Sequence, residues 1–186
     1  LVAGLGLSKI SAVVAGGDER QDSVRAGLDA LTDTPEVVAI HDGARPLILP
    51  EQIGRVVLKA HETGAAVLAN RVTDTVKEVE EGVVVKTLDR SFLWTVQTPQ
   101  AFRTELIREG HRQAEESGLL GTDDTSLVET LGVSVSVVEG RSDNIKITTP
   151  EDLRRAEQIL ETRMEASALS PRIGTGYDVH RLVGGR

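Results

Sequence analysis

Four turns in this sequence carry side chains suited to holding phosphate. The first, Gly16-Gly17-Asp18-Glu19-Arg20-Gln21-Asp22-Ser23, sets paired glycines ahead of a helical pattern. Glycines allow close backbone approach, and a helix start offers free N–H groups to an anion or to the polar edge of a base. The second, His41-Asp42-Gly43-Ala44-Arg45-Pro46, puts a carboxylate and a guanidinium three residues apart on a tight turn. Gly121-Thr122-Asp123-Asp124 precedes a later helix, and Asp143-Asn144-Ile145-Lys146 offers another acid and a cation. If these turns meet on one rim, Arg20, Arg45 and Lys146 make a locally positive pocket. Such a pocket suits a phosphorylated substrate and a metal–nucleotide complex. Each piece alone also has a plainer reading, as a strand-to-helix turn, a loop-fixing ion pair or a solvated lysine, and singly that reading is favoured roughly two to one. Their order along one chain reverses the balance.

The elements that must position these turns follow from the apolar pattern. Ser11–Ala15, Val37–Ile40, Ala65–Ala69 and Val133–Val138 read as buried strands, with a short one at Asn144–Thr148. Helices are expected over Glu19–Leu31, Pro50–Thr63, Phe102–Ser117 and Asp123–Leu131, and from the capped start Thr149-Pro150-Glu151-Asp152 to about Glu165. Strands alternating with helices predict an α/β fold, Rossmann-like, with a mostly parallel sheet covered on both faces. In such sheets, ligands bind beyond the carboxyl ends of the strands. Val72–Leu88 breaks the rhythm and reads as a hairpin excursion turned at Glu80-Glu81-Gly82.

Composition bounds the function. The chain has 186 residues and a formal net charge of −8, from 21 basic and 29 acidic side chains. An acidic protein is a poor binder of nucleic acid, whose phosphate backbone calls for a basic face. There is no cysteine, which excludes disulfides, thiolate metal sites and cysteine nucleophiles. That is compatible with a reducing compartment, and the cytoplasm is the expected location. No apolar run approaches the roughly 20 residues of a membrane span, so no membrane partner is expected. Aromatics are limited to Phe92, Trp94, Phe102 and Tyr177, so the core must be aliphatic.

The strings AGGDERQDSVRAGL, IHDGARPLI, TDTVKEV, TLDRSFLWTVQTPQAF, GTDDTSLVE and VEGRSDNIKITTPEDL closely resemble the 2-C-methyl-D-erythritol 4-phosphate cytidylyltransferases, in that family's own order over about residues 11–160. The resemblance implies a nucleotide-diphospho-sugar-transferase-like fold with a projecting β-arm that forms a homodimer. It implies transfer of CMP from CTP to methylerythritol 4-phosphate with Mg²⁺, releasing pyrophosphate, in non-mevalonate isoprenoid synthesis. By motif, Gly17, Asp18 and Ser23 would read the cytosine. Asp42 and Gly43 would lie at the ribose and the metal–triphosphate; the family usually has Ala at the position of Gly43. Arg45, Thr98 and Thr122 would line the substrate side. Thr75 and Arg90, on the arm, would hold the substrate of the partner subunit. Asp143 and Lys146 would face the reacting phosphates, so Lys146, Arg90 and Asp143 form the expected catalytic set. Two alternatives remain: a cytidylyltransferase for another polyol phosphate, and a non-catalytic nucleotide-binding or dimerisation module.

The family's glycine-rich loop, whose Arg and Lys cradle the triphosphate, has no match. Gly4-Leu5-Gly6 lies only ten residues before Gly16, lacks the basic partners, and reads as a turn. The cytidylyltransferase domain is therefore expected over residues 1–163, truncated at its start, with a linker at 164–170. From Arg172 to Arg181, RIGTGYDVHR resembles the opening strand of the 2-C-methyl-D-erythritol 2,4-cyclodiphosphate synthases. In that family Asp178 and His180 would be two of three ligands to a divalent metal, expected to be Zn²⁺, with the third beyond Arg186. Residues 171–186 would then open a second domain, and the chain would be an internal fragment of a bifunctional fusion.

Overall fold

The computed structural model describes residues 8–168. Its elements run α1 (Arg20–Asp29), β1 (Val37–Ile40), α2 (Pro50–Thr63), β2 (Ala65–Arg71), β3 (Lys77–Glu80), β4 (Val83–Thr87), β5 (Trp94–Arg103), α3 (Thr104–Ser117), α4 (Asp124–Glu129), β6 (Ser136–Glu139) and α5 (Pro150–Ala168). The main sheet has the order β1-β5-β2-β6. β2 and β6 pair in parallel, and β5 runs antiparallel to both β1 and β2. Three strands thus point one way, but the sheet is mixed rather than mostly parallel as expected. β5 is the reversed strand slotted between them, and it makes two of the three pairings antiparallel.

The sheet is buried on two faces because its central strands carry small aliphatic residues on both. Ala66, Leu68, Ala101 and Val138 pack under Val56 and Ala60 of α2. Ala65 and Phe102, one residue out of phase, face the other way onto Leu28, Ile107 and Val128 of α1, α3 and α4. Phe102 is fully buried, and its truncation to Ala carries the usual cost of about 3–5 kcal/mol. α2 begins with Pro50 in its first turn and stops at Gly64, whose φ of 95° an L side chain rarely adopts.

β5 replaces the expected helix start at Phe102, and α3 begins at Thr104. Pro99 argues against a strand there, because proline breaks a ladder. The register between β2 and β5 shifts between Val67 and Ala69, opposite that proline, and β1 pairs only from Gln100 onward. The interruption falls where the missing N–H is not needed. Ser11–Ala15 is not a strand and is exposed, and Asn144–Thr148 is not a strand either, its Ile147 N–H donating to the Ala44 carbonyl at 2.8 Å.

The hairpin stands as expected. Glu81 and Gly82, at φ 47° and 81°, form its two-residue turn, and every residue of β3 and β4 is exposed. α5 continues through Ala168, so the first five residues of the expected 164–170 linker are helical. Gly4-Leu5-Gly6 and Arg172–Arg181, including Asp178 and His180, lie outside the described residues. Among the described residues no helix is long and apolar enough to cross a membrane.

Candidate active site

β1 and β6 end on the same edge of the sheet, and the loops that follow them meet there. A cleft of about 490 Å³ opens at this edge, lined by Arg20, Asp42, Arg45, Thr98, Thr122 and Lys146 among others. The loop after β1 is a tight turn, closed by Arg45 N–H donating to the Asp42 carbonyl at 2.9 Å. The Thr98 hydroxyl accepts from Asp42 N–H at 3.1 Å and lies 3.0 Å from His41 Nδ1. His41 Nε2 faces the Arg45 carbonyl at 3.0 Å. A carbonyl only accepts, so Nε2 carries a proton, and in the neutral ring Nδ1 accepts from Thr98. His41 therefore laces the turn to β5 rather than reaching into the cleft.

Charges alternate along the cleft wall. Arg20 Nη2 lies 2.7 Å from Asp124 Oδ2, and its Nε lies 3.2 Å from Asp42 Oδ1. Asp42 Oδ2 lies 3.2 Å from Lys146 Nζ. Burial pushes the Asp42 carboxyl up, but the hydrogen bond from Lys146 and the charges of Arg20 and Lys146 hold it below its ordinary value. Burial pushes the Asp124 carboxyl up against the pull of Arg20. Arg45 differs from the other cations. Its Nη1 donates to the Asn144 carbonyl at 2.9 Å, its Nε is buried without a partner, and burial pulls its pKa down. A guanidinium short of counter-charge beside an exposed lysine is an environment that an oligophosphate would complete.

Buried amides and an aspartate cap hold these groups. Asn144, fully buried, donates through Nδ2 to Gln97 Oε1 and to the Thr98 carbonyl, both at 3.1 Å. Gln100 accepts the N–H groups of Asp124 and Thr125 and donates to Asp123 at 2.8 Å. Asp123 caps α4 through Ser126 N–H at 3.0 Å. Sequence reasoning misses these supporting groups, apart from the Thr-Asp-Asp turn, because it does not recognise β5 and a glutamine in a presumed loop carries no signal.

The remaining expected site residues sit elsewhere. Gly17 and Ser23 come together, with Gly17 N–H donating to Ser23 Oγ at 3.1 Å, and Asp18 is exposed beside them. A Cβ on Gly17 would lie 2.3 Å from Asp22 Cβ, so glycine is what lets the chain cross the start of α1. Gly43 is exposed with open space around it, and an alanine there would meet nothing. Thr75 and Arg90 are exposed at the base of the hairpin, where Arg90 donates to the Thr73 carbonyl, and neither lines this cleft. Asp143 is not among the residues that line this cleft. Its carboxylate is held by Arg141 at 2.9 Å and by Arg163 of α5 at 2.8 Å. The Arg141 hydrogen bond, with Arg163 adding to it, lowers its pKa to about 2 against a modest opposing effect of burial. Two guanidinium partners leave it a structural brace between the β6 loop and α5.

Comparison with known proteins identifies the family. The family model described as "IspD: 2-C-methyl-D-erythritol 4-phosphate cytidylyltransferase" matches residues 2–162. A 2-C-methyl-D-erythritol 4-phosphate cytidylyltransferase of Pelotomaculum thermopropionicum is 52% identical over 164 residues, covering 88% of this chain and 69% of that protein. The crystal structure of the Thermus thermophilus enzyme of the same name superposes with a TM-score of 0.73 at 39% identity, covering 80% of this chain and 72% of that one. The structure of the bifunctional IspDF from Campylobacter jejuni superposes with a TM-score of 0.64 at 27% identity, covering 76% of this chain and 36% of that one. With the family model spanning nearly all the described residues, the chain belongs to the 2-C-methyl-D-erythritol 4-phosphate cytidylyltransferase family.

Proposed function

We propose that this chain carries the CMP-transfer site for CTP and 2-C-methyl-D-erythritol 4-phosphate. The observation that carries the reading is the convergence of Arg20, Asp42, Arg45 and Lys146 on one cleft at the carboxyl edge of the sheet. A phosphate oxygen of methylerythritol 4-phosphate attacks the α-phosphorus of CTP. The new P–O bond forms as the bond from the α-phosphorus to the bridging oxygen breaks, and pyrophosphate leaves with the electron pair. The attacking group is already an anion, so no protein nucleophile is needed and catalysis is positioning plus electrostatics. Lys146, 46% exposed, is free to turn from Asp42 to the charge growing on the α-phosphate. Arg45 supplies a second fixed cation, and Thr98 and Thr122 border the acceptor side. Gly17, Asp18 and Ser23 are assigned to the cytosine.

Mg²⁺ enters as part of the nucleotide substrate. Among the described residues no cluster of three or more His, Cys, Asp or Glu side chains could cage a metal. One carboxylate with phosphate oxygens and waters is what Mg²⁺ prefers, and Asp42, on the wall and 16% exposed, fits that part. When bound, the ion neutralises charge on the triphosphate.

The hairpin is proposed as a dimerisation arm that brings Thr75 and Arg90 to the partner's substrate. What supports it is the exposure of Val79, Val83, Val84 and Val85, each more than half exposed on a two-stranded ribbon that cannot bury them alone. Asp178 and His180 are proposed as the first metal ligands, for Zn²⁺, of a cyclodiphosphate synthase fused in sequence. They stand two apart, so a strand points both to one face. Reading the coding sequence past Arg186 tests this, and absence of a further histidine ligand defeats it.

The experiment for the main activity is a panel. Pyrophosphate release is followed with CTP, Mg²⁺ and methylerythritol 4-phosphate, ribitol phosphate or no acceptor. Release that requires methylerythritol 4-phosphate is expected. Preference for ribitol phosphate means the substrate is wrong, and nucleotide binding without release makes the chain a binding module.

A further inference from the structure

We infer that Arg20 is a positioning residue for Asp42, and that Asp124, buried behind it, fixes the direction in which Arg20 points. The inference rests on the reading of Asp42 as the carboxylate on the metal–triphosphate side. Arg20 divides two donors of one guanidinium between two carboxylates, Nη2 to Asp124 at 2.7 Å and Nε to Asp42 at 3.2 Å. The planar guanidinium sets the directions of its donors, so anchoring one side aims the other. A lysine ammonium, a point charge with rotatable donors, cannot do this.

The two carboxylates are not equivalent. Asp124 is 1% exposed, and its backbone N–H is held by Gln100 at the start of α4. It is a fixed post. Its other titratable neighbour, His111, lies 3.8 Å away, is itself buried, and has an Nε2 without a hydrogen-bond partner, so Arg20 is the partner that matters. The adjacent Asp123 cannot substitute, because Gln100, Thr125 and Ser126 already occupy its oxygens. Asp42 is the movable end. Its second side-chain partner, Lys146, is half exposed and would be drawn to an incoming phosphate. Once Lys146 leaves, Arg20 is the side chain that still orients Asp42.

The test uses Asp124→Asn, Asp124→Glu and Arg20→Lys with two readouts. The first is the Nε–H resonance of Arg20 in the nucleotide-free chain. It is expected to be slow to exchange in the wild type, lost in Asp124→Asn and recovered in Asp124→Glu. The second is steady-state pyrophosphate release. Asp124→Asn is expected to raise the Mg²⁺ concentration for half-activation and the KM for Mg–CTP by about tenfold, with kcat moved less and Asp124→Glu restoring both. Combining Asp124→Asn with Arg20→Lys should cost no more than either alone, because both cut one link. A merely structural Asp124 would lower the melting temperature and leave the Mg²⁺ dependence of the folded fraction unchanged, which overturns the inference. Persistence of the Arg20 resonance in Asp124→Asn overturns it equally. If the wild type releases no pyrophosphate, the functional reading fails by itself, and the resonance still decides whether Asp124 holds Arg20.

Discussion

Replacing Gln100 with leucine isolates the part of the site that lies beneath the cleft. Gln100 is 1% exposed and makes three bonds: Nε2 to Asp123 Oδ2 at 2.8 Å, and Oε1 from the N–H groups of Asp124 and Thr125 at 3.1 and 3.2 Å. Leucine has a similar volume, so no large cavity forms. The bond to an ionised partner contributes about 1.5–3 kcal/mol, and each stranded backbone N–H costs about 1–2 kcal/mol. The added apolar burial returns about 1 kcal/mol. The net loss is about 4 kcal/mol, or a fall in melting temperature of about 8–16 °C for a domain of this size. Urea unfolding at pH 7 measures it, with an unchanged m-value showing that the unfolded state is not the cause. A loss below about 1 kcal/mol would refute the reasoning, since it would mean that these bonds are replaced by water or are not made.

Other outcomes follow from the same geometry. Asp143 titrates at about 2 when folded and near 3.9 when unfolded, so its contribution is complete above pH ~4 and is lost as the pH falls toward 2. Asp143→Asn should therefore cost about 1–2 kcal/mol at pH 7 and almost nothing at pH 2, read by denaturation at both; an equal cost at both refutes it. Gly17→Ala should raise the KM for CTP by about tenfold or more through displacement of the turn against Asp22. Gly43→Ala, with open space around it, should change that KM by less than about twofold, and the reverse order would contradict the cytosine assignment. Val79 and Val84 face each other across the hairpin, and on the proposed arm-mediated dimer both changed to Asp should leave a monomer in sedimentation where the wild type is a dimer. No change in mass would remove the arm from the interface.

The helices and inner strands are legible because their signals are local and strong. Pro50 and Gly64 bracket α2 in the sequence as they do in space, and the aliphatic run at Ala65–Ala69 could only be a buried strand. β5 is illegible for an equally specific reason. Pro99 and the polar pair Gln97 and Gln100 hide a strand whose central interruption is matched by a register shift in β2, a non-local feature. The site divides in the same way. Asp42, Arg45, Thr98, Thr122 and Lys146 can be named from motifs, and they share one cleft. The motif does not show that Asp143 pairs with Arg163, because that partner comes from α5, twenty residues later, and nothing in the loop announces the contact. The role of Asp124 is hidden because burial and the bond to Arg20 join residues 104 positions apart.

Pyrophosphate release by the wild-type chain and by Lys146→Met, with CTP, Mg²⁺ and methylerythritol 4-phosphate, tests the central claim most directly. The account predicts release that requires all three components and falls by about 10²-fold or more in the variant, with the fold unchanged by circular dichroism. Release independent of methylerythritol 4-phosphate, or a folded Lys146→Met that works as well as the wild type, would contradict it.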